Sequence, residues 1–194
     1  MKKNVLIVGA SRPWAPTLAD ALASEARVVL LKDPSALDAP PQGAPSQVTG
    51  EHEVASAVVE AAEETGGFDL LLWGPRTSSP AELWLDVEPE SWGAMLDELR
   101  EVHLVLRCAL PYLLGRPSSL VLLGAIPGES VLPPHRAVRS CALACLGDHL
   151  RRELALYGVA VHAWTLSAEE GAPEGGIPPS MENLQQRMTA LLHG

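Results

Sequence analysis

A doubly wound α/β fold, with a parallel sheet covered by helices on both faces, is predicted by two features of the sequence. Short apolar runs rich in Val and Leu alternate with stretches of helical periodicity from end to end, the pattern of a parallel sheet. The first run, Val5-Leu6-Ile7-Val8, breaks at Gly9, and a helical pattern starts a few residues later and runs through Pro16 to Leu22. A buried strand, a tight turn and a helix N-terminus in that order form the layout that turns backbone N–H groups toward a dinucleotide. Right-handed crossovers then put helices on both faces. With 194 residues and 47% hydrophobic content, the chain suits a single domain over 1–194.

The elements follow in order. Arg27-Val28-Val29-Leu30-Leu31 is the second strand, ending at Lys32-Asp33. Pro34, Pro40, Pro41 and Pro45 crowd the next segment, which is expected to be a loop where a crossover helix normally runs. Ser46-Gln47-Val48-Thr49 is a short third strand. Residues 51–65 place Val54, Val58 and Ala61-Ala62 at helical spacing and close on Gly66-Gly67. Phe68 to Pro75 is the fourth strand with its exit turn. A long helix opens at Asp86 and runs to about Leu114. Ser118 to Leu123 is the fifth strand, Arg136 to Tyr157 a second long helix, and Gly158 to Trp164 the sixth strand. Residues 167–179, rich in Gly, Pro and Glu, are expected to be a mobile loop. Residues 180–192 form a terminal amphipathic helix with Leu184, Met188 and Leu191-Leu192 on one side.

The net charge of −10, with no Lys/Arg block longer than a pair, argues against nucleic acid or an anionic membrane as partner. The apolar run after Met1-Lys2-Lys3 is too short for a leader, and no apolar stretch reaches membrane length; a cytoplasmic location is expected. Cys108, Cys141 and Cys145 are odd in number and fall in helical patterns, which suits buried thiols in a reducing compartment. Cys141 and Cys145 have the spacing of a metal-ligand pair, but no second pair accompanies them, so no metal site is expected.

Several stretches, in consistent order over about residues 4–166, resemble the short-chain dehydrogenase/reductase family. Gly9-Ala10-Ser11-Arg12 resembles the start of its nucleotide loop, and Phe68-Asp69-Leu70-Leu71-Leu72 the strand before its Asn-Asn-Ala-Gly turn. Val87 to Trp92 and Cys108 to Leu113 resemble the two ends of a crossover helix, and Arg152 to His162 the run into the sixth strand. The resemblance implies a Rossmann-like sheet of about six strands in the order 3-2-1-4-5-6, the seventh missing because the sequence stops at Gly194. It also implies NAD or NADP, with Gly9, Ser11 and Arg12 in the nucleotide loop and Asp33 at the adenosine ribose. Lys32 competes for that last place, and a solvated strand end is the plain alternative.

The loop departs from the family's T-G-x-x-x-G-x-G. Val8 replaces the Thr, and Pro13 and Ala15 replace the later glycines. Pro13 removes an N–H donor, and Trp14 brings a bulky ring. Ordinary cofactor binding therefore competes with a structural turn in which Trp14 fills a vacant cleft.

The family's chemistry implies an Asn, a Ser, a Tyr and a Lys that hand a proton to the substrate near neutral pH. Those positions fall on Glu98, Ala125, Arg136 and Ser140. Lys occurs only at Lys2, Lys3 and Lys32, so no alignment restores a Tyr-x-x-x-Lys pair. Arg136 cannot serve as the acid because its guanidinium stays charged. The adenine-side turn reads Trp73-Gly74-Pro75-Arg76, and Leu166-Ser167 replaces the family's Pro-Gly. His135, Arg136 and Arg139, with Glu98, could act as an acid–base pair, bind an acidic ligand, or form a surface or interface patch. His103, His149, Trp84 and Trp92 are expected to pack or to face solvent.

Cys141-Ala142-Leu143-Ala144-Cys145-Leu146 is apolar around the whole helix, as is Leu104-Val105-Leu106 on the other long helix; such helices are buried on all sides. In the family the two long helices build a four-helix interface, so the resemblance implies a homo- or hetero-oligomer through about 89–114 and 136–157. The function expected is that of a non-catalytic, structural or regulatory subunit, pairing with itself or with an active dehydrogenase. An oxidoreductase with an altered NAD(P) site, a cofactor-free enzyme using His135, Arg136 and Glu98, and a small-ligand or nucleotide sensor are the alternatives.

Overall fold

Five parallel strands lie in the order β2-β1-β3-β4-β5: β1 (Lys3–Val8), β2 (Ala26–Leu31), β3 (Leu70–Trp73), β4 (Ser118–Leu123) and β5 (Val159–Trp164). The computed structural model describes residues 2–9, 12, 14–31, 47–76, 83–125, 133–164 and 181–193, with the backbone alone for 47–52. Val5 pairs with Val28 on one side and Leu70 on the other, Leu72 with Val121, and Leu122 with Ala163. The helices are α1 (Trp14–Leu22), α2 (Gln47–Thr65), α3 (Pro89–Leu113), α4 (Pro134–Leu154) and α5 (Met181–His193).

The strands read as continuous apolar runs because both faces are covered. Leu6, Val8, Leu71, Trp73 and Leu122 share a core with Val58 of α2, Val105 of α3 and Leu143 of α4. Val5, Ile7, Leu72 and Leu123 share the opposite core with Leu18 and Leu22 of α1 and Leu184 and Met188 of α5. The doubly wound prediction holds.

Two expectations are corrected. The predicted strand at Ser46–Thr49 does not form: Gln47, Val48 and Thr49 are the first turn of α2, and Ser46 lies outside the described residues. Removing that strand from the predicted order gives the order observed, with five strands among the described residues. Two β-branched residues in a four-residue run fit a helix start as well as a strand, and the longer helical pattern that follows wins. The cysteines are not buried thiols: Cys141 and Cys145 are exposed and Cys108 is half-buried. α4 is buried only along the stripe that includes Ser140, Leu143 and Gly147. A sequence apolar on every side does not say which side meets the sheet. The loop at Pro34–Pro45 and the segment 167–179 lie outside the described residues. No helix among the described residues is long and apolar enough to cross a membrane.

α4 approaches β5 closely at Gly147, where an added Cβ would lie 2.5 Å from the Cβ of Ala163. At Gly93 of α3 an added Cβ meets nothing within 4 Å. Alanine in a helix is favoured over glycine by about 0.8–1 kcal/mol, so Gly93→Ala is expected to raise the urea midpoint. Gly147→Ala makes the same propensity gain but overpacks a rigid contact, at a cost of about 1–3 kcal/mol. It is expected to lower the midpoint, and a rise in both variants would refute the close contact.

His162 on β5 is half-buried, and its pKa is lowered below 6.5 by desolvation first and by the Arg151 charge second. Well above pH 6.5 the ring is neutral folded or unfolded and contributes no pH dependence. As the pH falls below 6.5 the unfolded chain takes up the proton before the folded one, so stability falls. Urea midpoints at pH 7.5 and 5.5 are expected to differ less for His162→Asn than for the parent chain.

Candidate functional site

Ligands of doubly wound sheets bind outside the carboxyl ends of the strands. Here that edge is formed by Gly9 after β1, Trp73 at the end of β3, Gly124-Ala125 after β4 and the first turns of α1 and α4. Gly9 has φ +110°, a conformation glycine adopts readily. Its N–H donates to the Leu31 carbonyl and its carbonyl accepts from the Arg12 N–H, each at 2.9 Å. Glycine is required there for a second reason. A Cβ on Gly9 would lie 2.1 Å from Cδ of Arg12, whose side chain folds back across it.

Arg12 does not point outward. It is 1% exposed, its guanidinium carbon lies 5.2 Å from the centroid of the Trp73 ring, and Nη2 pairs with Oε1 of Glu101 on α3. Trp73 Nε1 donates to the same oxygen at 2.9 Å. Oε2 of Glu101 accepts from Arg76 Nη2 at 2.7 Å. One turn earlier on α3, Glu98 accepts from the Arg76 backbone N–H at 3.2 Å through Oε1 and pairs with Arg139 of α4 through Oε2. Arg139 Nη2 also donates to the Gly124 carbonyl at 3.1 Å. Two glutamates on one face of α3 thus gather arginines from the glycine turn, the β3 exit and α4. All four carboxylate oxygens have partners, which is the condition for a buried charge cluster to persist.

Trp14 opens α1 and is buried. Its Nε1 donates to the Pro75 carbonyl at 3.0 Å, and its ring lies so close to Gly74 that a Cβ there would sit 2.6 Å away. These contacts hold the ring against Gly74 and Pro75 at the end of β3. Ala125, Arg136 and Ser140 are buried; the Ser140 Oγ has no hydrogen-bond partner among the described residues. His135 stacks edge-on against Trp92, with centroids 6.1 Å apart, and Trp92 against Trp84 at 5.2 Å. Of the predicted His135–Arg136–Arg139 cluster, Arg139 is the member that reaches Glu98. Ser11 and Asp33 lie outside the described residues, as does Lys32. No group of three His, Cys, Asp or Glu among the described residues is placed to hold a metal.

Glu101, Arg76 and Trp73 were not singled out as a cluster from sequence. A signal for part of it exists: Glu98 and Glu101 fall in phase with the buried stripe Met95, Val102, Val105 and Ala109 of α3. Two carboxylates on the apolar face of an amphipathic helix require buried partners.

No family model and no curated protein matches the chain. Solved structures do. A 3-ketoacyl-(acyl-carrier-protein) reductase from Brucella melitensis, complexed with NADH, superposes with a TM-score of 0.70 at 20% identity, over 98% of this chain and 90% of that one. A short-chain oxidoreductase from Pseudomonas aeruginosa, described as containing an atypical catalytic center, gives 0.69 at 17%, over 98% and 90%. A short-chain dehydrogenase/reductase family oxidoreductase from Brucella ovis, with a partially ordered NAD, gives 0.66 at 15%, over 99% and 93%. Over nearly its whole length, the chain has the Rossmann-like fold of short-chain dehydrogenases/reductases.

Proposed function

We propose that this chain is a non-catalytic protein of the short-chain dehydrogenase/reductase type, a structural or regulatory subunit that pairs with itself or with an active dehydrogenase through α3 and α4. One observation carries the reading. The positions that align with the Asn, Ser, Tyr and Lys of that chemistry hold Glu98, Ala125, Arg136 and Ser140, and Glu98 is committed to Arg139 and the Arg76 backbone. The chain has no Lys beyond Lys32 to lower the pKa of a tyrosine.

The residues at the strand ends do not fit a nicotinamide dinucleotide. Arg12, the cation of the glycine turn, is turned inward to Glu101 and occupies the space over Gly9. Trp14 takes the space beside Gly74. A bound dinucleotide would have to displace both and leave Glu101 short of a buried partner. The protein is therefore expected to show no thermal stabilisation by NADH or NADPH, and no hydride transfer as purified. Clear stabilisation by either cofactor would overturn the reading. Isolation from its own cells is expected to recover this chain with a second copy or with an active dehydrogenase chain.

An altered oxidoreductase is the second reading, favoured by the likeness to the Pseudomonas aeruginosa protein with its atypical catalytic center. Hydride transfer by the isolated chain with NADH or NADPH would establish it instead.

A further inference from the structure

α4 carries two thiols that this function leaves unused. Cys141 and Cys145 are both exposed and one helical turn apart, so they share a face with Cβ atoms roughly 5–6 Å from one another. A disulfide needs Cβ atoms about 3.5–4.5 Å apart, so the helix keeps the pair as a dithiol. Two thiolates on one tetrahedral ion, each bonded at about 2.3 Å, sit roughly 3.8 Å apart. Side chains leaning toward each other from these Cβ positions reach that distance. The pair is half of a four-thiolate site, and no group of described residues in the same chain completes it.

The surrounding surface points to what does. No residue from Ser140 to Gly147 is charged. The exposed residues on this part of α4 are Val138, 45% exposed, and Cys141 and Cys145, with Ala142 and Leu146 half-buried beside them. The first charge beyond it, Asp148, is engaged by Arg151 at 2.5 Å. In a two-fold contact residue i meets residue j of the other copy and j meets i, so a charge in the stripe would need a complementary charge in the same stripe; between Ser140 and Gly147 there is none to match. The outer face of α3, by contrast, carries Asp97, Arg100 and Arg107. Antiparallel α4 helices also align their dipoles favourably, and Ala142 presents only a methyl group to the facing helix.

We propose that a second copy of this chain docks its α4 on this stripe, and that the two Cys141–Cys145 pairs together bind one divalent thiophilic cation of the zinc class as four thiolates. Four thiols release four protons as the ion binds, and nothing is oxidised. The inference rests on self-pairing through α4, one form of the function proposed above.

The test uses the full chain, stripped with a chelator under reducing conditions and titrated with Zn²⁺ and with Cd²⁺. Native mass spectrometry is expected to find one ion per two chains, with a thiolate-to-cadmium absorption band in the ultraviolet. Cys141→Ser and Cys145→Ser are each expected to abolish the band while the far-ultraviolet circular dichroism is unchanged, and Cys108→Ser to leave it intact. One ion per single chain, or a band that survives both α4 variants, overturns the proposal. A dimer that takes up no ion overturns the metal site and leaves self-pairing standing. A monomer that takes up none overturns both.

Discussion

Replacing Glu101 with Ala is expected to cost about 3–5 kcal/mol, the range for removing one partner of a buried ion pair. The loss removes the buried counter-charge of Arg12, 1% exposed, the acceptor of the Trp73 N–H and the inner bond of Arg76. Measured against a stability of about 5–15 kcal/mol for an ordinary domain, this is a large part of the whole. Glu101→Gln keeps an acceptor for Trp73 but removes the charge, so its loss is expected to be smaller. Removing both charges together, as Arg12→Met with Glu101→Met, is expected to recover part of the loss, because a buried charge without its counter-charge costs more than the attraction lost. Urea denaturation of the three variants reads this directly. A loss below about 1 kcal/mol for Glu101→Ala, the scale of an exposed pair, would mean that the cluster is open to water.

Trp14→Ala is the second large effect, also expected at about 3–5 kcal/mol. The ring belongs to the core shared by Val5, Ile7, Leu18 and Leu123, and its removal leaves a cavity against Gly74. Trp14→Phe retains most of the volume and loses the bond to the Pro75 carbonyl, a net change of about 0.5–1.5 kcal/mol plus the small void. If Trp14→Ala instead left the urea midpoint unchanged, the ring would merely cover an open cleft that a dinucleotide could enter.

The fold was legible because it is written locally. Apolar runs that begin or end at Gly9, Gly67 and Gly158 mark the strands, and the helical spacing between them marks the crossovers. The one missing strand, at Ser46–Thr49, shows the limit of local signals: Val48 and Thr49 satisfy strand propensity, yet their place is set by the helix that continues after them. The site was legible only as a set of losses. That the Asn, Ser, Tyr and Lys are absent can be counted in the sequence. What replaced them cannot, because Arg12, Trp73, Arg76, Glu101 and Arg139 come together only when the sheet is assembled. Arg12 illustrates the difference: the resemblance places it in the nucleotide loop, whereas the structure buries it against a carboxylate on α3.

β5 has a neighbouring strand on one side only among the described residues, while Arg151 of α4 reaches across to the Val161 carbonyl with Nε at 3.1 Å. An unguarded strand edge is a template on which other molecules add strands. The guanidinium occupies one of the acceptors such a template needs, on a strand whose own side chains supply no Lys or Arg. Damage at Arg151 is therefore expected to show first as concentration-dependent clumping of molecules that are still folded.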